Sequence, residues 1–320
     1  MEVIWSGKLP AYWSIANWAL LTEKHIVVLF RDMASNKRKL RVVYINDRTV
    51  QERITKYNAL IGSLGPDVLL TKVEDARAHD QLSFFGWLNL DNLKMKWELL
   101  QSALIEKFSI PYTLDRLTMS YSCGLMKINL ITGDVIPLTK PSPLSGIWNL
   151  GEMEMQHDSN RKGLFIKCGD QVVVQLNDFL GSQYQGALGD WLFFLLPSND
   201  LVCIEKKTGN CLWKVYLNSL TRDGRPKGKI DYYNETCYRN SFIANILINR
   251  DTIVWATDRN EFYSFHIPTG KKGRLEKQQN QFLVDINNKF LLTLTIDEEL
   301  EVGNLTLFDL EEFFDEYQYK

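Results

Sequence analysis

Residues 201–217 read LVCIEKKTGNCLWKVYL, which is two apolar runs on either side of a short polar segment. That segment, Lys207–Asn210, supplies the Gly and Asn that a tight turn needs for its positive φ angles. Val202 and Ile204 alternate with Cys203 before the turn, and the run after it alternates in the same way. A period of two on both sides of a turn predicts a β-hairpin.

Weaker copies of this hairpin recur along the whole chain. In each copy a hydrophobic strand leads, a polar turn follows, and an alternating strand runs into a second turn. We place the seven alternating strands at Arg41, Ser83, Leu125, Gln171, Asp200, Glu261 and Gly303. Their mean spacing of about 44 residues is that of four-stranded propeller blades. The interval before Asp200 is short and the one after it is long, so the division between the fourth and fifth units stays open.

The two ends of the chain complement each other. After Leu310 no good final strand follows for the seventh unit, whereas Glu2–Leu9 has the Trp and the alternation of a strand after a turn. Pairing of the two ends leaves only short protected sheet edges. We therefore predict an all-β fold, a seven-bladed β-propeller of four-stranded antiparallel blades whose ring is closed by the N-terminal strand. Six or eight blades are the alternatives. Residues 1–320 then form a single domain, with an inserted polar loop near residues 218–240.

Three of the predicted turns resemble a known repeat. Cys203–Val215, CIEKKTGNCLWKV, is similar to the PQQ-like (quinoprotein-like) propeller repeat, in which an apolar strand ends in a Thr-Gly turn followed by a spaced Trp. Ile128–Leu138 and Phe265–Leu275 resemble the same repeat without the Trp. The resemblance is to the wider PQQ-like and WD-repeat-like propeller superfamily, although the WD dipeptide itself is not repeated. It implies propeller blades and says little about function, because many propellers share this scaffold.

Charge and cysteine content indicate which partners and which cellular compartment to expect. The chain has 37 basic and 39 acidic residues and a net charge of −2, whereas nucleic-acid binders carry a clustered basic excess. The N-terminus lacks the pattern of a secretory signal, and no run of about 18 uncharged apolar residues is present. Five cysteines without CxxC spacing indicate free thiols in a reducing compartment. We expect a cytoplasmic protein with no nucleic-acid or membrane partner.

No local motif predicts catalysis or metal binding. GxSxG, P-loop and GxGxxG sequences are absent, and the four histidines have no HxH or HExxH spacing. The resemblance to the PQQ-like repeat extends to quinone-dependent dehydrogenases, but these enzymes are about twice this length and act outside the cytoplasm. We therefore predict no catalytic residue, no cofactor and no metal.

The loops between the second and third strands of the blades share one face in a propeller. Acidic side chains dominate the loops that we place there: Arg31-Asp32, Asp75–Asp80, Ser122, Gly169-Asp170, Pro197–Asp200, Asp258–Asn260 and Asp297–Glu301. The tail, Glu311–Tyr319, interleaves carboxylates with aromatic residues, which are enriched in interface hot spots. The predicted partner-binding residues are Asp75, Asp80, Asp200, Asp258, Asp297, Glu298, Glu299, Glu301, Phe313, Phe314 and Tyr317. The alternatives are a solvated turn at 297–301 and an amphipathic helix in the tail.

These observations favour a non-catalytic protein that binds a protein partner through its acidic loop face, as a monomer or in a 1:1 complex. Complementary charge speeds encounter and selects partners, so a basic partner is expected. A narrower hypothesis is an inhibitor or immunity protein for a basic toxin. The alternative from a different class is an enzyme or carbohydrate-binding propeller whose site lies at the central channel.

Overall fold

The computed structural model shows 28 strands in the part of the chain that it describes. It describes residues 3–10, 18–32, 34–73, 82–102, 105–107, 117–121, 124–128, 132–138, 147–149, 154–158, 163–168, 171–176, 179, 182–188, 190–220, 246–249, 251–259, 261–276, 281–297 and 302–311. Two compact units are present, the first formed by Met1–Ala76, Ser83–Gln101 and Ser219–Lys320, and the second by Arg77–Leu82 and Ser102–Asn218. No helix in the described part of the chain is long and apolar enough to cross a membrane.

The first unit holds four antiparallel sheets of four strands each. In sheet order, the first two comprise β2 (Trp18–Leu21), β3 (His25–Asp32), β4 (Lys37–Tyr44) and β5 (Val50–Ile54), then β6 (Ala59–Leu64), β7 (Asp67–Val73), β8 (Leu82–Asn89) and β9 (Lys94–Ser102). The other two comprise β22 (Ile246–Ile248), β23 (Thr252–Ala256), β24 (Glu261–His266) and β25 (Lys272–Glu276), then β26 (Gln281–Ile286), β27 (Phe290–Asp297), β28 (Val302–Asp309) and β1 (Val3–Pro10).

The second unit holds three more sheets of the same kind. Their strands are β10 (Ile105–Lys107), β11 (Leu117–Tyr121), β12 (Gly124–Ile128) and β13 (Val135–Leu138); β14 (Ile147–Asn149), β15 (Glu154–Asp158), β16 (Gly163–Cys168) and β17 (Gln171–Leu176); and β18 (Gln183–Leu188), β19 (Trp191–Leu195), β20 (Asp200–Glu205) and β21 (Cys211–Tyr216).

The first strand of the chain completes the last sheet, as the sequence predicted. Strand β1 pairs antiparallel with β28, so that Gly7 lies opposite Leu305. Without β1 this sheet would have three strands among the described residues, β26, β27 and β28. The hairpin at residues 201–217 is also confirmed: Leu201 pairs with Val215, and Gly209 has a φ of +74° in the turn.

The expected position of the fourth unit was wrong by one strand. Gln171 begins β17, which is the fourth strand of its sheet, and the third strand is β16, beginning at Gly163. The reason is that β15 reads EMQHD, a polar strand that the apolar pattern passes over. Gly169-Asp170 thus follows a third strand in the chain, not a second strand as expected, and itself lies outside the described residues. The long interval after Asp200 falls between β21 and β22, and residues 221–245 of that segment, which include most of the predicted insertion, lie outside the described residues.

Neighbouring sheets within each unit bury their faces against each other. In the first unit, one apolar cluster joins the β22–β25 sheet to the sheet of β26–β28 and β1. A second cluster joins that sheet to the β2–β5 sheet, and a third joins the β2–β5 sheet to the β6–β9 sheet. In the second unit, Leu164 and Val174 pack with Phe194 and Ile204 between the sheets β14–β17 and β18–β21. Burial on both faces explains why the middle strands are almost continuously apolar. The fourth strand β21 is instead largely exposed, because it is an edge.

The two Thr-Gly turns at 208–209 and 269–270 offer a matched test of this packing. Gly209 and Gly270 both have positive φ, but an added Cβ at 209 would lie 2.4 Å from Cγ1 of Val174, whereas at 270 nothing lies within 4 Å. We expect Gly270→Ala to lose about 1 kcal/mol of unfolding free energy for its left-handed backbone. Gly209→Ala should lose about 1–3 kcal/mol more because Val174 must move.

Urea denaturation followed by tryptophan fluorescence measures both losses. Equal losses for the two variants would show that the turn at 209 does not press on β17.

Candidate functional site

Three of the four turns between first and second strands in the first unit share one design. In each, a side-chain oxygen accepts hydrogen bonds from the two backbone N–H groups two and three residues on. Asn249 Oδ1 accepts from Asp251 and Thr252, at 2.9 and 2.7 Å. The same role falls to Asn287 Oδ1, toward residues 289 and 290, and to Thr22 Oγ1, toward residues 24 and 25. This local bonding is the ordinary behaviour of Asn and Thr in turns.

The same side chains join one sheet to the next. Asn249 Nδ2 donates to the carbonyl of Asn287 at 2.7 Å, and Asn287 Nδ2 donates to the carbonyl of Thr22 at 2.8 Å. Three consecutive sheets are thus linked through equivalent turns. Their first-to-second turns lie at one end of the sheets, so their second-to-third turns share the opposite end. The ends of β3, β23 and β27 therefore lie at one side of the first unit.

The fourth sheet of the unit is held by its β8–β9 turn. Tyr44 Oη donates to the carbonyl of Leu90 at 2.9 Å, and Arg53 Nη1 donates to the carbonyl of Leu93 at 2.7 Å. Between them, Nε2 of the buried His25 lies 3.3 Å from Asp91 Oδ1. Burial lowers the pKa of His25, and the nearby Asp91 opposes that shift. These three contacts therefore fix the β8–β9 turn of one sheet against the neighbouring β2–β5 sheet.

Few of the predicted partner-binding residues belong to the described part of the chain. Asp200 and Asp258 are described in full, and Asp297 is described only by its backbone, opposite Val302 at the end of β27. The others lie outside the described residues: Asp75, Asp80, Glu298, Glu299, Glu301, Phe313, Phe314 and Tyr317. Asp200 belongs to the second unit, whereas Asp258 and Asp297 belong to the first.

Asp200 is engaged by its own hairpin. Ser198 Oγ donates to its Oδ2 at 2.5 Å, and Lys214 Nζ on the paired strand lies 3.0 Å from the same oxygen. These two contacts, Ser198 first, hold the pKa of Asp200 below its ordinary value. A partner approaching this turn would meet a carboxylate whose charge is already compensated.

Asp32 has the same arrangement in the first unit. Its carboxylate accepts hydrogen bonds from the Ala34 N–H and the Ser35 hydroxyl in the β3–β4 turn, and Lys39 Nζ lies 2.7 Å away. The hydrogen bond from Lys39 is the largest cause that lowers the pKa of Asp32 to about 2. Asp32 and Asp200 thus order their turns, which the sequence pattern did not reveal.

Asp258 differs from both. It is exposed in the β23–β24 turn, and its backbone N–H donates to the carbonyl of Ser219 at 2.9 Å. Its carboxylate makes no ion pair or side-chain hydrogen bond with any residue that the structure describes. Of the two predicted carboxylates with described side chains, Asp258 is therefore the exposed one whose charge no described residue compensates.

Asp285, a carboxylate that the sequence pattern did not single out, lies on β26, the first strand of its sheet along the chain. Asp285 in β26 accepts a hydrogen bond from the Leu21 N–H of the next sheet at 2.7 Å through Oδ2, and from the Ile286 N–H at 2.8 Å through Oδ1. Burial raises its pKa to about 6 in spite of these two bonds. A lone acid in the run QFLVDI was the available signal.

Stability should depend on pH through Asp285. Its folded pKa of about 6 exceeds the ordinary 3.8, so the folded chain holds this proton more tightly than the unfolded chain does. The resulting stabilisation is complete below pH 3.8 and is lost as the pH rises through 6. Between pH 4 and pH 7 the loss amounts to about 2–3 kcal/mol.

Asp285→Asn removes the titration. The difference in unfolding free energy between the original chain and this variant, measured by urea denaturation, should therefore change over that pH range. A difference that stays constant from pH 4 to pH 7 would contradict the assignment.

Comparison with known proteins bears on the fold alone. No family model matches the sequence, and no curated protein matches it. Among solved structures, BamB from Moraxella catarrhalis, a PQQ-like β-propeller protein, is 12% identical over 89% of this chain and 82% of its own, with a TM-score of 0.40. KlHsv2 with loop 6CD replaced by a Gly-Ser linker is 7% identical over 91% of this chain and 98% of its own, with a TM-score of 0.52. With the all-β architecture, the second likeness shows a β-propeller-like fold.

Proposed function

We propose that this chain is a non-catalytic cytoplasmic scaffold, a single seven-bladed propeller that binds a basic protein partner through its acidic loops. The seven four-stranded sheets support seven blades, and the pairing of β1 with β28 supports closure by the N-terminal strand. Propeller-like proteins commonly act as interaction scaffolds. Rigid sheets with packed faces can present loops at little entropic cost, which favours binding over flexible rearrangement.

The observation that carries the proposal is the exposed carboxylate of Asp258, whose charge is not compensated by any residue in the described part of the chain. It lies at the end of the first unit at which β3, β23 and β27 finish. The proposal adds two groups of predicted acids of the same unit that follow β7 and β27 in the chain, namely Asp75 and residues 297–301. Asp200 and Asp32 contribute less to an attraction at a distance, since each already has a lysine within 3.0 Å.

A toxin inhibitor is the narrower form of the proposal. A basic nuclease binds a polyanion, and a rigid acidic face would occupy the same surface by mimicking the phosphate charge. Such an inhibitor acts stoichiometrically and requires no chemistry of its own.

Charge reversal tests the loop face directly. The loop variant combines Asp258→Lys with Glu299→Lys and alters the proposed face. The control combines Glu23→Lys with Asp134→Lys and makes the same charge change at exposed turns between first and second strands and between third and fourth strands. Both variants and the original chain serve as bait in affinity capture with quantitative mass spectrometry. Equal circular-dichroism melts show that the three baits are folded.

We expect one basic protein to be captured by the original chain and the control, and to fall at least about tenfold with the loop variant, because paired charges at such interfaces are worth more than about 1.4 kcal/mol. Raising the salt concentration should weaken capture as well. A partner that ignores salt and binds the loop variant as well as the control would contradict the proposal. For the narrower form, the captured protein is a nuclease that the purified chain inhibits at a 1:1 ratio.

A further inference from the structure

A polar cavity of about 370 Å³ lies between two neighbouring sheets of the first unit. Its walls come from the β22–β23 turn, the β24–β25 turn and the end of β28, and they include Asp251, His266, Lys271 and Glu311. These turns are at the end opposite the acidic loops. The volume is at the lower limit of the roughly 300–1,000 Å³ that small-molecule sites occupy.

The walls are fixed before any ligand arrives. Asn249 orders the β22–β23 turn and joins it to the β26–β27 turn through the bonds described above. The Ile267 N–H donates to the carbonyl of Asp251 at 2.7 Å and so ties the β24–β25 turn to the same wall. His266 Nδ1 and Thr269 Oγ1 are 2.7 Å apart within that turn. A preformed site of this kind spends little binding free energy on ordering.

Three charged side chains around the cavity have no hydrogen-bond or ion-pair partner among the described residues. Asp251, Lys271 and Glu311 form no ion pair and no side-chain hydrogen bond there. In the neighbouring strand β24, the hydroxyl of Ser264 is fully buried without a hydrogen-bond partner in the described part of the chain. Ser264 is two residues before His266 in β24 and therefore on the same face of the sheet. The cavity thus offers two anionic groups, one cationic group and further polar groups.

We propose that this cavity binds a small free amino acid with a basic side chain, such as arginine. Two carboxylates suit its guanidinium and α-ammonium groups, which are charge-assisted donors. Lys271 suits its α-carboxylate. The three protein charges sum to −1, which the +1 charge of such a ligand balances. A neutral sugar would bring no charge to balance the two carboxylates and the lysine around the cavity.

Isothermal titration of the full-length chain tests the proposal with four compounds. Arginine carries all three charged groups, argininamide lacks the carboxylate, citrulline lacks the side-chain cation, and glucose lacks all charge. We expect measurable binding of arginine at millimolar concentrations, at least about tenfold weaker binding of argininamide and of citrulline, and none of glucose. Absence of arginine binding, or equal binding of glucose, would overturn the proposal.

Three variants locate the contacts. Lys271→Gln should weaken arginine about tenfold and leave argininamide unchanged, because only the carboxylate contact is lost. Asp251→Asn should weaken both ligands. Lys272→Gln, an exposed lysine of the next position, is the matched control and should change neither. Equal weakening of arginine and argininamide by Lys271→Gln would overturn the assignment. The outcome is independent of the acidic loops, so it does not depend on the partner proposed above.

Discussion

Hydrogen bonds between the turns of neighbouring sheets are the constraint on which the first unit depends. Asn249 reaches Asn287, and Asn287 reaches Thr22, each from a turn that the same side chain also orders. One residue type at one position therefore sets both the shape of a turn and the placement of the next sheet. Because these links join equivalent turns, the second strands β3, β23 and β27 of the linked sheets all finish at the other end of the unit.

The apolar faces contribute more free energy than these links, but they are less selective. Burying one Leu or Val side chain contributes about 1.5–3 kcal/mol, whereas a typical hydrogen bond contributes about 0.5–1.5 kcal/mol net. Leu292 and Leu307, for example, are fully buried between two sheets. Apolar packing tolerates sliding of one sheet on another more readily than a hydrogen bond does. The core accordingly stabilises the stack, and the turns set its register.

The alternating hairpins made most of the strands predictable, because a period of two is visible over five to eight residues. The run His25–Asp32 is an example: it coincides with β3. The pairing of β1 with β28 could be predicted from the unpaired end of the last unit. Strand β15 could not be predicted, because its residues are polar and the apolar pattern begins only in its neighbour β16. The links of Asn287 to Thr22 and of His25 to Asp91 join residues 265 and 66 positions apart, for which one sequence holds no signal.

The site was predictable only in part for the same reason. Acidic loops can be read from composition, but whether a lysine neutralises each acid depends on cross-strand register: Lys214 reaches Asp200, whereas Asp258 has no such neighbour among the described residues. The repeated turn motif could have been found, because LTEKH, INRDT and INNKF each place Thr or Asn after an apolar residue at the start of a turn.

Hydrogen–deuterium exchange of the intact chain tests the central claim most directly, which is that the first strand completes the last sheet. Trp5 lies opposite Leu307 and Gly7 opposite Leu305 in an antiparallel ladder. We expect peptides from Val3–Pro10 and Val302–Asp309 to be protected to a similar degree as those from Phe290–Asp297. Exchange of Val3–Pro10 at the rate of an unstructured peptide would contradict the account.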